Sequence, residues 1–406
     1  EETKTKIVGL LLQALKIPDN GDWVVARPTA IYGEHRVSLG GIPGPREHRV
    51  ETPQGPLVIR RDIAAEMNAI LSLQQVPESA ASRANFGFAE ASGAPADLSV
   101  RVYDTANNLL KTIAVKLKAG EHQQLNGMLA NNGVTNLANG RVEVEVTGGD
   151  GKVTAYVSEI DNKTNDPLLV SAVLKGGVTS QKWVVPGVAY INNPTAFWVT
   201  DMRVFNAGTA EMPFALTFYA EREPSVSMTK NFSLLPGEIK VFDNVIAEHF
   251  ASLGRATGSI AVTTSTNANL TVTARTYNQT ALGTYGQFVP GVTPAESVGV
   301  ADRALQILQL EQSPRLRTNI GLLETSGQPA TIEVSAVIPD SLVTPFITYD
   351  LQPNEFRQIS LADFAGGQAL YNTRVTVKVI SGNGRVTAYG SAIDELKGDP
   401  TYVPAQ

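Results

Sequence analysis

Residues Gly151–Val170 read GKVTAYVSEIDNKTNDPLLV and residues Gly384–Val403 read GRVTAYGSAIDELKGDPTYV, with eleven of the twenty aligned positions identical. Just before each lies an alternating run, Arg141–Val146 (RVEVEV) and Arg374–Val379 (RVTVKV). Alternation with period two sends one face of a strand into a core and the other into water. The turns that follow are Gly148-Gly149-Asp150-Gly151 and Ser381-Gly382-Asn383-Gly384. Their Asp-Gly and Asn-Gly pairs favour the positive φ of a tight hairpin. Pro167 and Pro400 cannot donate to a central ladder, so they mark an edge or an exit. The repeated stretch therefore reads as the closing hairpin and exit of a β domain that the chain uses more than once.

The match extends upstream. NFGFAEASGAPA (Asn85–Ala96) and NIGLLETSGQPA (Asn319–Ala330) agree at seven of twelve positions. Ahead of them, ILSLQQVP (Ile70–Pro77) is set against ILQLEQSP (Ile307–Pro314). Between the matched ends, LKAGEHQQL (Leu117–Leu125) answers LQPNEFRQI (Leu351–Ile359). A third, more distant copy lies between the two, with its turn at LLPGEIKVF (Leu234–Phe242) and its late strand at NLTVTARTY (Asn269–Tyr277). A unit of about one hundred residues, with a strand every ten to fifteen or so, points to a β-sandwich of immunoglobulin-like architecture. A β-propeller competes, but its blades are shorter, about 40–50 residues. The expected fold is all-β: tandem immunoglobulin-like sandwiches after a short mixed segment. The divisions fall at 1–69, 70–176, 177–296 (the divergent copy) and 297–406.

Composition agrees. The 406 residues are too many for one core. Apolar residues make up 43% and charged residues 18%, with 35 Gly and 23 Pro, which suits short strands and turns. A net charge of −6, with no basic run, argues against nucleic acid. There is no cysteine, which excludes disulfides, thiolate metal sites and cysteine nucleophiles. No apolar run has the length of a membrane span, and Ile7–Leu15 is too short. In the first segment, Thr3–Lys16 has helical periodicity, Trp23–Tyr32 reads as a strand and Gly40–Pro56 as loop. Arg61–Ala69 reads as helix or strand.

Few residues suggest chemistry. The motif EHRV occurs twice and places His35 and His48 beside Glu34 and Glu47. A hairpin joining them would make a His/carboxylate metal site. The adjacent Arg36 and Arg49 disfavour a cation, and the commoner reading is two half-exposed strand positions. Asp161/Asp166 and Asp394/Asp399 are paired acids in repeated turns; they suit either an oxygen-ligated cation or Asx-type turn capping, with capping the commoner. His122 stands where the other copies carry Ile239 and Phe356, and His249 is placed on a short helical turn. No G-x-S-x-G elbow, phosphate loop or dinucleotide fingerprint is present. Trp183, Tyr190, Phe197 and Trp198, and later Tyr277, Tyr285 and Phe288, are either core and junction packing or platforms for sugars. Asn162, Asn231, Asn269 and Asn278 head N-x-S/T triplets.

VPGVAYINNPTAFWVTDMRVFNAG, ARTYNQTALGTYGQFVPG, LEQSPRLRTNIGLLETSG and GRVTAYGSAIDELKGDPTYVPAQ resemble the repeat domains of bacterial secreted and cell-surface proteins. The resemblance covers Pro186–Gln406 and, through the internal match, Ile70–Val170. It implies an extracellular or cell-surface location and brings no catalytic motif. The expectation is a non-enzymatic structural or adhesive protein, a subunit of a surface assembly or filament. No residue is assigned a catalytic, cofactor-binding or metal role, and no cofactor is implied. Partners would be proteins or further copies joined at sheet edges or through the N-terminal arm, with cell-surface glycans as a further candidate. The alternatives are the non-catalytic C-terminal region of a secreted hydrolase, or a carbohydrate-binding module.

Overall fold

The computed structural model describes residues 69–406 except Thr195 and Asp340, and before them the backbone of four strands. Those strands form two antiparallel hairpins. β1 (Thr29–Tyr32) pairs β2 (His35–Ser38), and β3 (His48–Thr52) pairs β4 (Gly55–Ile59). The second hairpin falls largely within the stretch expected as loop. Its Val50, Leu57, Val58 and Ile59 are strong strand formers, and its Gly and Pro residues flank them. The helix expected over Thr3–Lys16 lies outside the described residues.

Among the described residues the chain is almost wholly antiparallel β, as the alternation predicts. The first set of strands is β5 (Ile70–Glu78), β6 (Ser82–Glu90), β7 (Ala96–Tyr103), β8 (Leu109–Leu117), β9 (His122–Leu125), β10 (Leu137–Gly148), β11 (Val153–Asp161), β12 (Pro167–Ser171) and β13 (Val173–Leu174). A single helical turn, α1 (Met128–Asn131), follows β9. One sheet runs β13-β5-β10-β7-β8 and the other β12-β11-β6-β9.

The second set is β14 (Ser180–Ala189), β15 (Ile191–Asn193), β16 (Ala196–Asn206), β17 (Met212–Ala220), β18 (Glu223–Leu234), β19 (Ile239–Phe242), β20 (Thr257–Ala268), β21 (Leu270–Thr280) and β22 (Gly283–Pro290), with α2 (Val245–His249). Its sheets run β14-β20-β17-β18 and β15-β16-β21-β22, and β19 also pairs β16. The third set is β23 (Leu305–Gln312), β24 (Leu316–Glu324), β25 (Ala330–Val337), β26 (Phe346–Leu351), β27 (Phe356–Ser360), β28 (Leu370–Gly382), β29 (Val386–Asp394) and β30 (Pro400–Pro404). Its sheets run β23-β28-β25-β26 and β27-β24-β29-β30.

The connectivity is the same each time. With the short extra strand β15 left out of the count, the first strand pairs the sixth, the sixth pairs the third, and the third pairs the fourth; the second strand lies between the fifth and the seventh. In the first set these are β5, β10, β7 and β8, then β6 between β9 and β11. An immunoglobulin sandwich keeps its first two strands in one sheet. Here the first and second strands of every set fall in opposite sheets. The two sheets of the second set share one core, with Val185, Phe218 and Ile260 from one and Met202, Val272 and Val289 from the other. Ile307, Val334 and Val377 meet Ile320, Leu322 and Ala388 in the third. Each of these Val, Leu, Ile, Met and Phe side chains contributes roughly 1.5–3 kcal/mol by leaving water. The chain divides into two compact units, residues 1–177 and 178–405, so the second and third sandwiches belong to one body.

Two readings of local sequence change. The register moves the upstream match by three residues. Leu73 and Val76 of β5 flank a bulge at Gln75, and Ile307 and Leu310 of β23 flank the same bulge at Gln309. The Glu78 carboxylate accepts the Ala84 N–H at 3.1 Å, as the Gln312 amide accepts the Thr318 N–H at 3.0 Å. Ile307 therefore answers Leu73, not Ile70; the shared letters I-L-x-L drew the wrong alignment. In the closing hairpins the positive φ belongs to Gly149 (80°) and Gly382 (93°), one residue before Asp150 and Asn383.

Candidate functional site

The strongest signal in the matched block is one whose role the letters do not reveal. Glu90 ends β6 and Glu324 ends β24, each followed by x-Ser-Gly. Each shares a strand face with core residues, Phe86 and Phe88 or Ile320 and Leu322, but a carboxylate ordinarily stays in water; both are buried. The Glu324 carboxylate accepts the N–H groups of Ser326 (2.7 Å), Gly327 (2.8 Å), Asn354 (2.8 Å) and Arg385 (3.3 Å), and the Ser326 hydroxyl. Glu90 accepts the N–H groups of Ser92, Gly93, Gly120 and Lys152 and the Ser92 hydroxyl. Burial pushes the Glu90 carboxyl up, and the hydrogen bonds from Gly120, Ser92 and Gly93 outweigh it, so the group sits below its ordinary range. Asn206 does the same work in the second sandwich. It accepts the Gly208 N–H at 2.9 Å and donates to the Leu234 carbonyl at 3.1 Å. Each glutamate ties three loops at one end of its sandwich and Asn206 ties two, and the carboxylate oxygens are occupied by backbone N–H groups and a serine hydroxyl.

Polar and apolar groups converge most densely between the second and third sandwiches. Val184 and Ala261 from β14 and β20 pack on Leu323, Phe356 and Tyr389 from β24, β27 and β29, with Tyr219 and Tyr402 at the margin. Tyr389 is only 3% exposed. Its ring lies over Gly321, its cross-strand partner, where an added Cβ would overlap the ring. Its hydroxyl reaches the β14 bulge at Gly187 (φ 75°), where again no Cβ fits. Around this cluster, the Arg222 N–H donates to the Phe356 carbonyl at 2.8 Å and the Arg222 guanidinium to the Gln358 carbonyl at 2.6 Å. Glu221 accepts the Gln358 N–H at 3.2 Å, and the Ser391 hydroxyl donates to Gln287 at 2.9 Å. Lys182 Nζ donates to Asn354 Oδ1 at 2.6 Å. Arg385 fixes the linker by donating to the carbonyls of Pro294 (2.7 Å) and Ser297, with Asp302 at 3.1 Å. Beside the joint, Glu221, Arg222, Arg255 and Thr257 line a recess of about 270 Å³.

The residues singled out from sequence are dispersed. His35 and His48 begin β2 and β3, and their side chains lie outside the described residues. Among the described residues no three His, Asp or Glu side chains cluster as metal ligands. Asp161 Oδ1 accepts the N–H groups of Lys163 (2.8 Å) and Thr164 (3.0 Å), and Asp394 Oδ1 those of Leu396 (2.9 Å) and Lys397 (3.0 Å). Both are Asx turns. Asp166 and Asp399 close the same turns through their carbonyls, which accept the Asp161 and Asp394 N–H groups. His122 opens β9 and stacks on Tyr156, with ring centroids 6.0 Å apart. His249 ends α2 edge-on to Phe232 and Phe242.

Trp183 sits in the second core and Tyr285 is buried, while Tyr190 meets Phe197 edge-on. Trp198, Tyr277 and Phe288 are half-buried. Of the triplet asparagines, Asn162, Asn269 and Asn278 accept hydrogen bonds from Arg83, Thr179 and Phe197, and Asn231 is exposed on β18. Comparison with family models, curated proteins and solved structures gives no match to this chain.

Proposed function

We propose that this is a non-enzymatic structural protein of stacked β-sandwich modules, acting as a spacer or adhesive element in an extracellular or bacterial cell-surface assembly. One observation carries the reading: the polar groups that converge most densely, Lys182, Glu221, Arg222, Glu324 and Asn354, are spent on turns and on the seam between two modules. A protein built to hold distance and direction needs such seams to be stiff, and an apolar cluster rimmed by hydrogen bonds supplies that. The half-buried aromatics do not form an exposed row, which favours packing over a sugar platform.

Cooperative unfolding tests the proposal. The second and third sandwiches are expected to melt in one calorimetric transition, and Tyr389→Ala to split it in two. Separate transitions for these modules in the unaltered protein would remove the stacked-module reading.

A further inference from the structure

We propose that Lys182 and Asn354 react to form an amide cross-link that ties the second sandwich to the third. The two residues are 172 positions apart, and Nζ lies 2.6 Å from Oδ1. An amide C=O bond is about 1.2 Å long, so Nζ is within about 4 Å of Cγ, close to the separation of reacting atoms in a near-attack geometry.

The surroundings favour reaction over a plain hydrogen bond. Lys182 precedes Val184 by two positions, on the same face of β14. Asn354 precedes Phe356 by two, and the N–H of Asn354 is held by Glu324, next to Leu323. Val184, Leu323 and Phe356 are members of the apolar seam, so the pair lies at the border of a dry cluster. Burial there pushes the Lys182 ammonium down, and the Glu324 charge opposes it in part. A desolvated lysine is the nucleophilic form of the residue.

Both side chains are specific to this joint. Asn354 occupies a left-handed turn position (φ 65°) that the other two sandwiches fill with Gly120 (68°) and Gly237 (78°). Glycine is the default there. The position of Lys182 is held by Ile70 in the first sandwich and Ala304 in the third. An amine and a carboxamide thus replace inert residues at the two positions the seam brings together. In a chain without cysteine, such a link would hold the modules as a disulfide does elsewhere.

The step balances without an oxidant. The neutral amine adds its lone pair to Asn354 Cγ, forming the new C–N bond. The Cγ–Nδ2 bond then breaks, Nδ2 takes the proton shed by Nζ, and ammonia leaves. Glu324 acts as a positioning residue, holding Asn354 through its backbone.

The inference rests on the stacked joint, and mass spectrometry tests it separately. The intact folded chain, denatured after purification, is expected to weigh one ammonia (about 17 Da) less than its sequence, with a branched tryptic peptide joining Lys182 to Asn354. Lys182→Arg and Asn354→Gly, the latter restoring the residue of the other two turns, are expected to return the full mass with the β circular dichroism unchanged. Full mass and linear peptides in the unaltered protein after days of incubation would overturn the proposal. So would an ammonia loss that survives Asn354→Gly, as cyclisation at another asparagine would give. Failure here with a single joint transition intact removes the cross-link and leaves the structural reading standing.

Discussion

Glu324 accepts five hydrogen bonds at 0% exposure, and its counterpart Glu90 accepts five more. Removing either carboxylate strands several buried N–H groups at once, and each such group costs about 1–3 kcal/mol. Glu324→Ala is therefore expected to destabilise residues 178–405 by about 3 kcal/mol in chemical denaturation, against less than about 0.5 kcal/mol for an exposed control such as Glu211→Ala. Glu90 adds a pH signature. Its folded carboxyl titrates below the ordinary 4.5, so the unfolded chain takes up the proton first as pH falls. The stability it contributes is complete above pH 4.5 and is lost as acidity passes down through the folded value. Glu90→Gln is expected to flatten that part of the stability–pH curve; an unchanged acid limb would show that the carboxylate is not held as its hydrogen bonds imply. The letters E-x-S-G stood in the matched block, but their use was hidden. A glutamate at a strand end reads as a water-facing residue by its charge, although its parity matches that of the core residues before it, and only the return of three loops to one point shows why it is inside.

At the scale of strands, what could be read was what depends on local period: the alternating runs, the glycine turns and the closing hairpins. What could not be read depends on pairing. Gln75, Gly187 and Gln309 occupy the same first-strand bulge, yet nothing in ILSLQQVP marks where the extra residue falls. The exchange of sheet between first and second strands is equally silent, because alternation says which side of a strand is buried and not which neighbour it bonds. The bulge at Gly187 supports a sharper expectation. Gly187→Ala meets both an unfavourable φ of 75° and the Tyr389 hydroxyl, whereas Gly254→Ala meets an unfavourable φ of 61° in open space. The Gly254 variant is expected to lose about 1 kcal/mol and the Gly187 variant about 3 kcal/mol by urea denaturation. Equal losses would mean that the tyrosine does not need the glycine, and that the seam is looser than its packing suggests.

Across residues 178–405, two equivalent sheet faces have opposite characters, and only the apolar one carries a neighbouring sandwich. On the second sandwich the outer face of the first sheet presents Val184, Ser259, Ala261 and Thr263, and the third sandwich sits on it. At the same positions the third sandwich carries Gln306, Arg374, Thr376 and Lys378. Long polar side chains keep their hydration and hold a neighbouring backbone away, as the outer faces of terminal repeats do. This face is thus built for water, and packing through it in the manner of the internal seam is disfavoured. Exchanging its chemistry tests whether side-chain size and polarity decide the matter. Gln306→Val combined with Arg374→Ser, Thr376→Ala and Lys378→Thr is expected to give association that grows with concentration in sedimentation velocity, at loadings where the unaltered chain shows none through this face. If the fourfold variant sediments like the parent over the whole range, the small apolar surface is insufficient, and Tyr389 with its glycine bulge is what makes a seam.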